Sequence, residues 1–400
     1  MDETEILLLS IASEGEKHIG FPLLSEIHPF KHFFNNGRAT LDYSNLDRRD
    51  GSCTRRELVT RFLLLSAVLD QGPDIEGIRR LLVDVTNDLY ANEVRFLHKP
   101  IDFFQELGIA IDRILENHNK IKGLRADIWA KNNNSSANKY NLFMDNTKQA
   151  LNYSIFRWGV PLALPLLLEK EIQSSEEPSD SKPTALIDYL ESFPSAETMS
   201  NKLKDHEKYG LGKAIGNKAC HLFAKWFVSS FNLCRKSDLS WKDFSYEVPY
   251  DSNAGRVLWR TGYFLNWADE SFYQKKEVLQ PKKGKDNLCY IRVTNIRGNA
   301  VQKKDNLPED IKDLYYEVSQ KHLKTHKTKP RKFEIQRIQH AFLLKHHRKT
   351  NLNISNFDDG LIYIGTNYCY NHSEPKCSDC PIKNLCLGYK NKELIENYRT

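Results

Sequence analysis

The sequence predicts a mainly α-helical fold, and three observations carry that expectation. Apolar residues recur at helical spacing over long stretches, strand-like alternation is rare, and 40% hydrophobic with 11% aromatic residues in 400 suffices for two or three domains of roughly 100 to 200 residues. With 28% charged residues and no compositional bias, the chain is neither disordered nor fibrous.

The elements follow in order. Glu57 to Val68 and Asp74 to Tyr90 read as two amphipathic helices. Between them Asp70-Gln71-Gly72-Pro73 forms a loop, with Gly72 tolerating unusual dihedrals and Pro73 suited to a first helical turn. Pro100 to Leu107 and Gly123 to Ala130 read as short helices, and polar breaks follow at 131–138 and 174–183. Two helical stretches between Ala196 and Asn232 flank the glycine-rich turn Gly210 to Gly216. A further helix runs on from Asp251, Leu288 to Val293 is the best strand candidate, and Phe333 to Lys345 is the best helix of the segment after it. No fixed-period repeat is present.

The run Val160 to Leu168 carries two prolines and is under half of the ~20 residues that span a bilayer, so no membrane partner is expected. Asp2, Glu3 and Glu5 stand where a signal peptide would be basic, which favours an intracellular protein. Net charge is +6, but 275–350 holds 20 Lys and Arg against 8 Asp and Glu. A basic field concentrated in one segment suits a polyanion, or else a solvated insertion that serves solubility.

Four of the eight cysteines, Cys369, Cys377, Cys380 and Cys386, fall within eighteen residues. Four soft ligands from one loop suit tetrahedral zinc or an iron-sulfur cluster, and the spacing alone leaves both open, with unligated thiols as the bland alternative. Lys213 to Phe223 reads as a tight turn opening a helix, a geometry that aims unpaired backbone N–H groups at an anion, with Gly216 permitting close approach. Asp251 stands at a helix start, where aspartate is a preferred N-cap, so by itself it reads first as a cap and only then as a functional carboxylate.

In this order the motifs resemble the helix-hairpin-helix DNA glycosylases of the endonuclease III superfamily, over about half the residues from Glu57 to Leu387. Ala214-Ile215-Gly216-Asn217-Lys218-Ala219 is similar to that family's hairpin and catalytic lysine, and Val248-Pro249-Tyr250-Asp251 to the segment with its essential aspartate. Leu64 to Ala67 with Gln71 and Asp74 resembles its early helix pair, and the four cysteines its iron-sulfur loop. Four features depart from the pattern: Ala214 stands where the hairpin has its first glycine, Lys218 and Asp251 are 33 residues apart, the first cysteine interval is one residue longer than usual, and the basic segment before the cysteines is a large insertion.

The resemblance implies a two-lobed fold, a six-helix-barrel-like lobe plus an iron-sulfur lobe. It would place 1–55 on the cluster lobe, a barrel lobe over 56–232 with the hairpin near 200–232, the cluster lobe over 233–274 and 351–400, and a basic insertion over 275–350 lying along DNA. It implies a monomer acting on double-stranded DNA, cytoplasmic and nucleoid-associated in a prokaryote or nuclear in a eukaryote. It implies a [4Fe-4S] cluster on Cys369, Cys377, Cys380 and Cys386. The expected DNA contacts are Gln71, Ala214, Ile215, Gly216 and Asn217, with Asp251 and Lys218 catalytic in a base-excising glycosylase that also has AP-lyase activity. The excised base stays open among oxidised, mismatched and bulky phage-type modified bases, which keeps genome defence beside repair. A catalytically silent DNA-binding module and a zinc-stabilised nucleic-acid-binding factor are the competing classes.

Overall fold

The structure is a computed structural model that describes residues 1–18, 22–34, 41–70, 75–106, 155–175, 182–249, 251–266, 279–283, 289–293, 302–303, 307–325, 327–329, 332–333, 335–369 and 374–391. It is mainly helical, with three short antiparallel two-stranded pairs among those residues. The chain divides into a central unit, Phe21–Ser237, and a terminal unit in which Met1–Gly20 joins Asp238–Thr400. Met1–Gly20 thus groups with the cysteine-bearing unit, and 21–55 with the central one.

Helix α1 (Glu3–Lys17) opens the terminal unit with a capping box: Asp2 accepts from the Glu5 N–H while the Glu5 carboxylate accepts from the Asp2 N–H. In the central unit β1 (Arg49–Asp50) and β2 (Cys53–Thr54) form a tight hairpin that leads into α2 (Arg55–Leu69). The sequence suggests an amphipathic α2, but every residue from Glu57 to Leu69 is buried, so α2 is the central helix of its unit. Its polar residues are therefore paired. The Glu57 carboxylate takes Arg61 together with the N–H groups of Leu186 and Ile187, at 3.0 and 3.1 Å, and so caps the helix Ala185–Glu191. Arg61 also reaches Glu169 at 2.5 Å. Burial pushes the Glu57 carboxyl upward, and Arg61 opposes that shift.

Around α2 stand α3 (Ile75–Ala91), α4 (Pro100–Glu106), α5 (Ile155–Ser175), α6 (Ala185–Glu191), α7 (Ala196–Asp205) and α8 (Asn217–Lys225), the last continuing as a π-turn over Trp226–Ser230. α3 buries Ile78, Leu82, Val85 and Leu89 at the spacing the sequence shows. α5 runs through Pro161 and Pro165, and none of the described helices is long and apolar enough to cross a membrane.

The terminal unit continues with α9 (Ser252–Arg260), β3 (Leu279–Lys283), β4 (Cys289–Val293), β5 (Gln302–Lys303), α10 (Glu309–Glu317), β6 (Lys332–Phe333), α11 (Ile335–Thr350), α12 (Ile354–Asn367) and α13 (Leu387–Lys390). Its core joins Leu8 and Ile11 of α1 with Val257 and Leu258 of α9, Tyr315 of α10, Ile338 and Leu343 of α11, and Phe357 and Leu361 of α12.

The 307–350 stretch of the basic segment supplies core helices of this unit. Its described cations largely meet carboxylates. Lys345 pairs with Asp310 at 2.6 Å, Lys312 with Glu309 at 2.6 Å, Lys329 with Asp313 at 3.4 Å, and Arg348 bonds both oxygens of Glu317. His346, next to Lys345 and Arg348 in a basic run, is nonetheless buried at 4% exposure against the Phe342 ring.

Candidate functional site

Asp251 is the N-cap of α9, in extended conformation, and its Oδ1 accepts from the N–H groups of Asn253 at 2.8 Å and Ala254 at 2.9 Å. The cap fixes a half-buried carboxylate at the positive end of a helix. α9 is buried all round from Ala254 to Arg260, with Val257, Leu258 and Trp259 among its core residues. Its other end stops at Gly262, which adopts φ +80° and donates to the Trp259 carbonyl at 3.0 Å. A Cβ at Gly262 would come within 2.8 Å of the Leu387 side chain, so the glycine also seats the chain after the last cysteine.

The same helix holds the cysteine loop. Arg256 donates through Nε to the Cys369 carbonyl, and through Nη2 to the Gly365 carbonyl at 2.8 Å and Asn253 Oδ1 at 2.6 Å. Arg260 Nη1 donates to Cys369 Sγ at 3.3 Å, and Cys386 Sγ donates to the Arg260 carbonyl at 3.3 Å. A run of hydrogen bonds thus links the cap residue's neighbour Asn253 to the loop.

Cys369, Cys377, Cys380 and Cys386 line one small, partly open pocket with Val257, Arg260 and Ile382. Burial pushes the Cys380 thiol up to about 12 and the Cys386 thiol up to about 11, with neighbouring cysteines adding to the rise. As free thiols they stay protonated, and a cation among them would reverse that preference.

The four thiols gathered in one pocket fit a thiolate-bound metal group, and that donor set suits tetrahedral zinc and an iron-sulfur cluster alike.

No family model matches the chain, and neither a curated protein nor a solved structure matches it. The assignment of each site residue therefore rests on its own surroundings.

In the central unit the turn Gly212–Ala214 leads into α8, with Gly216 as N-cap. Gly212 takes φ +57°, and a Cβ on Gly210 would meet backbone carbonyls of Lys204 and His206 at 2.6 Å, so the turn itself demands both glycines. Gly216 is different: it is exposed at φ −91°, and a Cβ there would touch nothing within 4 Å. Ala214 and Ile215 are buried, and the Ala214 N–H already donates to the Leu211 carbonyl at 3.1 Å. Asn217 is exposed and accepts from Lys204 at 2.7 Å, and Lys218 is half-buried.

Under this helix lies a polar contact the sequence does not reveal: His221 Nδ1 is 3.2 Å from Ser200 Oγ and 3.7 Å from Glu197 Oε2. Two polar residues a helical turn apart on α7 thereby hold α8. Trp226 and Trp259 are buried core residues, which removes them as stacking platforms for a base. Cys53, Cys220 and Cys234 are buried with thiols pushed up to about 12 by burial, as expected of inert packing residues. Gln71 and Tyr250 lie outside the described residues.

Of the residues that matter here, Arg256 and Arg260 carried no sequence signal beyond helical spacing from Asp251.

Proposed function

We propose that the chain is a DNA glycosylase that flips a damaged or modified base from duplex DNA and excises it, with a two-lobed helix-hairpin-helix fold and a [4Fe-4S] cluster on its four clustered cysteines. The observation that carries this reading is that one short helix serves both features. Asp251 caps its start, and Arg256 and Arg260 further along bond the cysteine loop. When bound, the cluster would cross-link the loop through four thiolates.

A base inside the stack is out of reach, so excision requires extrusion at a cost of a few kcal/mol. Asp251, held by two N–H groups, is placed to stabilise positive charge growing on the deoxyribose as the glycosidic bond breaks, the electrostatic logic of sugar hydrolases. Gly216 supports a backbone grip on phosphate: neither packing nor dihedral requires a glycine there, whereas an approaching phosphate would. Lys218 stands two residues on. Its neutral amine would add to C1′ as the base departs, and ring opening would give a Schiff base that permits β-elimination of the strand.

A mass-spectrometric survey of bases released from damaged and naturally hypermodified duplexes tests the reading. Release of at least one base by the wild type and none by Asp251→Asn is the expected result. Binding without release from any substrate would replace the enzyme by a silent DNA-binding module.

A further inference from the structure

We infer that His206 is a positioning residue for the Gly216 turn and makes that turn's grip on DNA sensitive to mild acid, an inference that rests on the reading of DNA as the ligand. His206 is the half-buried C-cap of α7 and stands just before the glycine-rich turn. The N–H groups of Lys208 and Tyr209 both donate to its Nδ1, at 3.2 and 3.0 Å. A ring nitrogen that accepts hydrogen bonds carries no proton, so this imidazole is neutral with its proton on Nε2. It acts as an Asx side chain does in a turn, holding two successive backbone donors through one acceptor. Aromatic neighbours fix its orientation: the ring stacks on Tyr209 at 5.4 Å and 18°, and Tyr189 of α6 and Phe193 meet it edge-on at 5.9 and 6.2 Å.

From His206 the backbone passes into the hairpin through successive bonds. The Gly210 N–H donates to the His206 carbonyl at 3.1 Å, the Leu211 N–H to the Leu203 carbonyl at 2.7 Å, and the Ala214 N–H to the Leu211 carbonyl at 3.1 Å. Gly216 follows two residues later as the N-cap of α8. Protonation would replace the Nδ1 lone pair by an N–H that faces two further N–H groups, so both bonds to the turn are lost together. Imidazole is the side chain that gains its proton between pH 8 and 5. The turn is therefore held at neutral and basic pH and released as pH falls. The ionisable groups that face His206 are the hydroxyl of Tyr189, whose ionisation burial pushes upward, that of Tyr209, and the Lys208 ammonium 5.3 Å above the Tyr209 ring. Asp205 and Glu207 flank it in the chain and are exposed.

The test is the affinity of the full chain for duplex DNA at about pH 8 and about pH 5.5, on either side of imidazole titration. His206→Asn is the conservative rescue, because its side-chain oxygen can accept from the same two N–H groups and does not titrate. His206→Phe keeps the ring stack and removes the acceptor. Wild type and His206→Asn share every other histidine, so their ratio isolates this one. The ratio should be near one at the higher pH, and the wild type should bind about fivefold more weakly at the lower, the net effect of one hydrogen bond. His206→Phe should be weak at both. A ratio that does not change with pH, or full affinity in His206→Phe, overturns the inference.

Because substitution could disturb the turn in other ways, amide hydrogen exchange of the DNA-free wild type reads the two bonds directly. In acid the Lys208 and Tyr209 amides should lose protection relative to the same amides in His206→Asn, and equal protection in the two proteins overturns the inference. Base release is followed in the binding samples. Acid-sensitive binding with no release from any substrate sinks the glycosylase reading and leaves this inference standing, whereas no duplex binding at either pH sinks both.

Discussion

Gly15 on α1 and Gly360 on α12 meet where the two helix backbones touch: a Cβ on Gly15 would collide with the Asn356 carbonyl, and one on Gly360 with the Ile11 carbonyl. On the same helix Gly365 lies against Asn253 of α9, where a Cβ would come within 2.8 Å of the Asn253 side chain. α12 is therefore in close contact with both the N-terminal helix and the helix that Asp251 caps.

Gly360→Ala tests the crossing. The obstacle is backbone and cannot rotate away, so the substitution should destabilise the protein by at least the ~1–3 kcal/mol typical of overpacking. Denaturant unfolding with tryptophan fluorescence reads this as a lower midpoint. A shift within about 0.5 kcal/mol, ordinary for a surface site, would contradict the close crossing.

These glycines show which features are legible in a sequence. Helix α11 was expected over 333–345 and runs from Ile335 to Thr350, and β4 was expected over 288–293 and runs from Cys289 to Val293, because local period and β-branched content set them. The four cysteines meet in one pocket, as their spacing implies. Gly15 and Gly360 are 345 positions apart, and no local signal announces that their backbones touch. The role of 307–350 was hidden for a related reason. Its charge stood out in a count, whereas Tyr315, Ile338 and Leu343 could be recognised as core only against helices far away in sequence.

Gly216→Ala separates folding from binding. With φ −91° and open space around the position, Ala fits the folded chain, and the poorer N-cap costs at most about 1 kcal/mol. Thermal stability should fall by no more than that while duplex affinity falls, because a methyl group would obstruct a phosphate. Equal affinity in a fluorescence-anisotropy titration would show that the turn does not grip DNA.

Asp251→Asn should end base release with little effect on stability. Asparagine caps helices about as well as aspartate, and its side-chain oxygen can keep both bonds to Asn253 and Ala254. Asp251→Ala should lose activity as well and should cost about 1 kcal/mol of stability, as for other lost caps. If Asn retains excision at the wild-type rate, the carboxylate's charge is not used in catalysis.

Protein purified without oxygen should carry about four irons per chain with broad visible absorbance, and Cys380→Ser should lower both. Arg256→Leu should also reduce iron retention, since it removes the bonds to the Cys369 and Gly365 carbonyls that hold the loop to α9. A colourless protein with one zinc per chain would replace the cluster by a structural zinc site.

His346 should make the terminal unit less stable in mild acid. Burial holds its imidazole below the usual value, with Lys345 and Lys349 pressing the same way and Asp2 and Glu5 opposing; Glu5 Oε1 is 3.9 Å from Nδ1. The unfolded chain takes up a proton near pH ~6.5 while the folded chain does not. Stability is therefore complete above that value and declines as pH falls below it. The Glu5 carboxyl, held low first by its bond to Lys349, contributes stability above its own unfolded value near ~4.3 and loses it on further acidification. The two groups act in separate windows. His346→Phe, which can keep the edge contact to Phe342 seen at 4.6 Å, should flatten the stability profile between about pH 6.5 and 5 and leave the steeper acid limb intact. His322, another buried imidazole of the unit whose ionisation is lowered by burial, should preserve part of the slope. A profile for His346→Phe that overlays the wild type through this window would show that His346 is not the group that senses it.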